Sequence, residues 1–167
     1  MSGPHELYVI RHAIAAPKGK TWPDDDTRPL SEKGMARFRQ SMRGLTRLGV
    51  AFDVVLTSPL VRARQTGEIA AAAFDIRPPV VPVDSLAPGG SHRAVMADLE
   101  KYSRFGRIAL VGHEPGIGAF AARLAGSPHA WPLHKGAVCR IDIDGLPMSG
   151  PGVLRWLLTP RIMGRLR

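Results

Sequence analysis

Short apolar, β-rich runs alternate with helix-like stretches along almost the whole chain, and this alternation most restricts what it can fold into. Residues 6–11 (ELYVIR), 53–57 (DVVLT), 80–83 and 107–111 (RIALV) read as strands. Residues 31–48, 60–74 and 116–124 read as helices, and Ser91 caps a fourth that runs to about residue 102. Ser31 is the cap of the first, Gly34 weakens its opening turn, and Gly49 marks its end. Residues 137–143 and 153–159 read as closing strands joined by a turn-rich segment. Strands separated by crossover helices pair in parallel and are covered on both faces. The expectation is therefore an α/β fold: a three-layer α/β/α sandwich around a mostly parallel sheet. A chain of 167 residues without repeats or a dividing linker fits one domain over residues 1–167.

In open sheets of this kind, ligands sit beyond the carboxyl ends of the strands. Three distinctive pairs fall there: Arg11-His12, Ser58-Pro59 and Gly112-His113. A strand fixes the residue that follows it, so His12 is an imidazole held rigidly, a good nucleophile near neutral pH. Arg62 lies in the first turn of the helix after Pro59, where free backbone N–H groups and the helix dipole already favour an anion. Its guanidinium fork matches phosphate oxygens. Arg64, two residues on, points elsewhere and reads as a surface residue. His113, protonated, would bind phosphate and, neutral, would shuttle a proton. Each residue taken alone also has a plainer reading: His12 as a strand cap, Arg62 as an exposed helix arginine, His113 as a helix cap. The histidines lack metal-ligand spacing, so no metal is expected.

Taken together, the motifs resemble those of the histidine phosphatase superfamily, which includes the phosphoglycerate mutases, and above all its short SixA-type phosphohistidine phosphatases. The family's Arg-His-Gly appears as Arg11-His12-Ala13, its SPLxRAxQT signature as residues 58–66, and its second histidine as His113. An Arg-Pro-Leu-Ser/Thr-x-x-Gly stretch of this branch appears as residues 28–34. The resemblance implies a phosphoglycerate-mutase-like fold, phosphorylation of His12, and a phosphoryl group surrounded by Arg11, Arg62 and His113. It also implies Arg28 and Ser58 as substrate-binding residues, and no cofactor. Two positions depart from the pattern. Ala13 stands where glycine is usual, and Pro88 stands where many relatives carry a glutamate general acid; Asp84 is the nearest carboxylate in sequence.

The missing acid bears on the substrate, because an alkoxide leaves only with a proton, whereas imidazole, with a conjugate-acid pKa of about 6.5, is far less demanding. The expected activity is removal of a phosphoryl group from phosphohistidine on a protein, such as a histidine-containing relay domain. The alternatives are a phosphatase for small phosphomonoesters or other phosphorylated metabolites and, more remotely, a phosphate sensor without turnover. A net charge of +9 favours anionic partners, but the basic residues are dispersed and aromatics are few, so nucleic acid is not expected. The single cysteine, Cys139, suits a reducing compartment. The opening residues lack the pattern of a signal peptide and no run suits a membrane span, so the expected location is the cytoplasm.

Overall fold

A computed structural model describes residues 3–78 and 80–166. Six strands form one sheet: β1 (His5–Arg11), β2 (Val54–Thr57), β3 (Val81–Pro82), β4 (Arg107–Gly112), β5 (Val138–Ile143) and β6 (Val153–Leu158), in the order β3-β2-β4-β1-β5-β6. The first four pair in parallel; β5 runs antiparallel to β1, and β6 antiparallel to β5. Five α-helices accompany them: α1 (Glu32–Arg47), α2 (Val61–Ala73), α3 (His92–Glu100), α4 (Gly116–Leu124) and α5 (Pro160–Met163).

The period of two along β1 divides the core. Leu7 and Val9 face a cluster with Leu99 of α3 and Phe120 and Leu124 of α4. Tyr8 and Ile10 face the opposite cluster, with Phe38 and Met42 of α1, Ala70 of α2 and Met163 of α5. Helices thus cover both faces, which gives the expected three layers. β3 is shorter than the expected residues 80–83, and it lies at the sheet edge, where a proline such as Pro82, with no N–H to give a ladder, is tolerated.

The Ser31 side chain caps α1 by accepting from the Gly34 amide at 3.0 Å. Gly34, a weak helix former, has a packing reason: a Cβ there would lie 2.0 Å from the carbonyl oxygen of Ile14. The glycine therefore lets α1 approach the loop that follows β1. Sequence patterning missed α5 and the 3-10 turns Asp25–Thr27 and Asp84–Leu86, which are only three or four residues long.

Candidate active site

The parallel register brings the ends of β1, β2 and β4 side by side: Arg11 pairs with Gly112, and Thr57 with Val111. His12 and His113 follow directly, the His12 amide donating to the Gly112 carbonyl of β4 and the His113 carbonyl accepting from the Ile117 amide of α4, and their rings lie 5.1 Å apart between centroids. Both are about 6% exposed. His12 Nδ1 lies 2.7 Å from the Ala13 carbonyl oxygen, which only accepts, so Nδ1 carries the proton and Nε2 keeps a lone pair. His113 Nε2 lies 2.8 Å from Ser58 Oγ. The Ser58 hydroxyl oxygen already accepts from the Leu60 amide and finds no other acceptor among the described residues, so its proton goes to Nε2. That leaves His113 Nδ1–H as a buried donor with no partner.

The SPLxRAxQT residues beyond Arg62 hold this arrangement together. Thr66 Oγ1 donates to the Arg62 carbonyl and accepts from the Ala13 amide at 3.0 Å, which joins α2 to the loop carrying His12. Gln65 Oε1 accepts from the Leu30 amide at 2.7 Å and secures residues 28–34. Ala13 is buried and does not adopt the left-handed conformation that favours glycine, so its methyl group brings no backbone strain.

Arg62 is buried at the start of α2. Its Nη1 donates to the Asp25 carbonyl at 2.6 Å, and its Nη2 to Asp25 Oδ2 at 3.0 Å. Arg28 donates to Asp25 Oδ1 and to the Ala16 carbonyl. Asp25 thus spaces two guanidinium groups and aligns both, a role that patterning missed; the only hint was its i,i+3 distance from Arg28. Burial tends to raise the Asp25 carboxyl, but the Arg28 hydrogen bond and the charges of Arg62, Arg28 and Lys18 outweigh it and hold the group ionised. Arg11 donates from Nη1 to the Leu133 carbonyl, while its Nε and that of Arg62 are buried without a partner. Arg64 lies on the surface, paired with Glu68. His12 and His113 therefore stand side by side, with the charges of Arg62 and Arg11 acting on both rings; Ser58 touches His113, and Arg28 is linked to Arg62 through Asp25.

The histidine phosphatase superfamily (branch 1) matches residues 7–87 by sequence profile, a span that holds His12, Arg28, Ser58 and Arg62. An uncharacterized protein of a Picosynechococcus strain is 43% identical over 122 residues, 72% of this chain and 73% of its own. The chain belongs to the histidine phosphatase superfamily. It is also 26% identical to the phosphohistidine phosphatase SixA of Escherichia coli K12, over 93% of this chain and 94% of that protein. A structure of the protein histidine phosphatase SixA complexed with tungstate superposes with a TM-score of 0.84 at 24% identity, covering 95% and 99% of the two chains, which shows a common fold.

The electrostatics suit a histidine phosphatase. Burial pushes His12 down to about 4, reinforced by the charges of Arg62, Arg11 and Lys135 against the opposing Ala13 hydrogen bond. Burial, with His12 and Arg62, pushes His113 down to about 3. Both imidazoles are neutral at pH 7 until an anion arrives, which keeps the His12 lone pair available. Among the described residues no group of three or more His, Cys, Asp or Glu is placed to hold a metal ion, and no helix is long and apolar enough to cross a membrane.

These shifts make acid destabilising. Unfolded histidines take up protons near pH 6.5, whereas the buried pair resists until about 4 and 3, so the unfolded state binds more protons in between. Stability should fall as pH drops from about 6.5 towards 4, by on the order of a few kcal/mol at about 1.4 kcal/mol per unit. Calorimetry in chloride buffer should show Tm falling over that window, and the fall should shrink with inorganic phosphate bound, because an anion favours the protonated ring. A Tm independent of pH there would contradict the placement of the two rings.

Proposed function

We propose that this phosphatase acts on phosphohistidine carried by another protein, through a phosphohistidine intermediate at His12. The observation that carries this reading is Pro88. It borders the same cavity as His113, where relatives are expected to place a glutamate acid, and it has no proton to give. Asp84 is exposed and does not line that cavity, whose lining carboxylate is Glu114, on the segment after β4 and not at the position of Pro88. The likeness to E. coli SixA, a phosphohistidine phosphatase, points the same way.

In the first step His12 Nε2 attacks phosphorus, and the bond to the leaving nitrogen breaks as its electron pair returns to the leaving imidazole. Arg11, Arg62 and the Nδ1–H of His113 neutralise charge on the equatorial oxygens, the main task in phosphoryl transfer. The cationic phosphoimidazole on His12 is stabilised through Nδ1–H by the Ala13 carbonyl. In the second step water attacks phosphorus, its proton passes to the phosphate product, and His12 leaves as neutral imidazole.

A protein substrate fits the surroundings. Beside Arg11 and Ala13 opens a cavity of about 530 Å³ whose rim carries Arg37, His134, Lys135 and Arg161, and no carboxylate is among its lining residues. Arg37, Lys135 and Arg161 are exposed and make no ion pair among the described residues, so they are free to meet an acidic surface.

The test is a substrate panel. Turnover per site should rank a phosphohistidine peptide above p-nitrophenyl phosphate, and that above a phosphoserine peptide, following leaving groups of pKa about 6.5, below about 10, and near the 15.7 of water. Pro88→Glu should raise the phosphoserine rate relative to the phosphohistidine rate, read in kcat separately from KM. Equal rates on phosphoserine and phosphohistidine by the unaltered protein would move the assignment to a phosphatase of small phosphomonoesters.

A further inference from the structure

On the His113 side of the site lies a second cavity, of about 340 Å³, walled by the turn at residues 85–90, the start of α3 and the segment 113–120. Three of its lining residues each carry a buried polar atom without a hydrogen-bond partner: His113 Nδ1, His92 Nδ1 and Glu114 Oε1. Such atoms are uncommon in folded proteins, because a buried polar group left unpaired is costly. Three around one cavity, next to the proposed nucleophile, point to a ligand that brings polar groups of its own. The Glu114 carboxylate is seated by Gly118, where a Cβ would fall 2.6 Å from Oε1 and 2.0 Å from the Trp131 carbonyl oxygen. Pro88 lines the same cavity, so a carboxylate is present in it even though residue 88 supplies none. The His92 ring lies 5.1 Å from that of Phe120, and both rings line the cavity.

We propose that this cavity receives the leaving imidazole of the substrate, and that Glu114 accepts a hydrogen bond from that ring's unphosphorylated nitrogen. The proposal rests on the phosphohistidine reading above and says how the site would select that substrate. A phosphoimidazole protonated on its far nitrogen is cationic. When His12 Nε2 bonds to phosphorus, the P–N bond breaks and its electron pair returns to the leaving nitrogen. The far proton stays where it is, and the ring departs neutral while His12 takes up the positive charge. No proton has to reach the leaving atom, which is why a proline at residue 88 is tolerated. A carboxylate opposite the far N–H favours the protonated, labile form of the substrate. An ester oxygen has no such second nitrogen, so Glu114 gives phosphomonoesters no comparable help.

A plainer role for Glu114, favouring the N-terminus of α4 by charge, would act on all substrates alike. The test is Glu114→Gln, with kcat/KM measured on a phosphohistidine peptide and on p-nitrophenyl phosphate, and thermal unfolding followed in parallel. The phosphohistidine value should fall about tenfold or more, as for the loss of one charge-assisted hydrogen bond, and the aryl phosphate value less than about twofold. Glu114→Asp, which keeps the charge, should retain part of the phosphohistidine rate. Proportional losses on both substrates in both variants, or no loss on either, would overturn the proposal. A phosphohistidine preference that survives Glu114→Gln would remove Glu114's role alone, whereas no such preference in the unaltered protein would remove the reading beneath it.

Discussion

Replacement of His12 by alanine is expected to lower kcat by about 10⁴-fold or more on every substrate, since no other group holds a lone pair at that point. The expectation follows from the hydrogen bonding of the ring. With Nδ1–H given to the Ala13 carbonyl, Nε2 is the only atom of His12 able to attack, and burial keeps it unprotonated at pH 7. His113 cannot replace it, because its Nε2 is engaged by Ser58 and its ring is separately anchored after β4. His12→Ala should nonetheless fold: the strand register and the Thr66 tie to the Ala13 amide do not involve the imidazole. Steady-state kinetics and circular dichroism on one preparation would check both halves. Near-normal turnover in a folded His12→Ala protein would exclude the nucleophile assignment.

Arg62 should have the next largest effect. Its guanidinium is buried, desolvated and oriented on one edge by two bonds to Asp25. Removing one preorganised donor from a developing oxyanion costs about 10²–10³ in kcat in comparable sites. Arg62→Ala should lose at least that much, because the substitution also leaves the Asp25 carboxylate without one of its two arginine partners. Arg62→Lys should recover little: an ammonium cannot serve the Asp25 carbonyl, its carboxylate and a phosphate oxygen in one plane. Comparison of kcat for the two variants checks this, and a lysine variant within about threefold of the unaltered enzyme would show that only charge is needed there.

Much of this was legible in the sequence, for reasons that are local. The runs that became β1 and β4 are apolar, bounded and long enough to leave no other assignment, and the Ser31 hydroxyl announces α1 within a residue. Arg11, His12 and His113 could be placed because a residue that ends a parallel strand is placed by the sheet. The fold and the superfamily that the motifs implied are those the structure and its relatives show. What patterning missed depends on distant partners. Asp25 matters because a short turn brings it to Arg62, 37 residues away, and Lys135 because the turn before β5 brings its charge to His12. Neither a three-residue turn nor a single lysine carries a periodic signal. Gly34 appeared as a flaw in a helix and is instead a point of close approach, since its reason lies in Ile14. Glu114 likewise takes its meaning from Gly118 and from the empty side of Pro88, neither of which its own neighbours in sequence announce.

Covalent transfer to His12 is tested most directly by rapid quenching during turnover. The enzyme would be mixed with a phosphohistidine peptide, stopped in alkali within the first turnover, digested, and read by mass spectrometry. A phosphoryl group should appear on the peptide that contains His12, at His12 itself, and should decay on acidification as phosphoramidates do. His113→Ala should accumulate the same adduct more slowly. Full turnover with no adduct on His12, or an adduct on His113 in its place, would contradict the account.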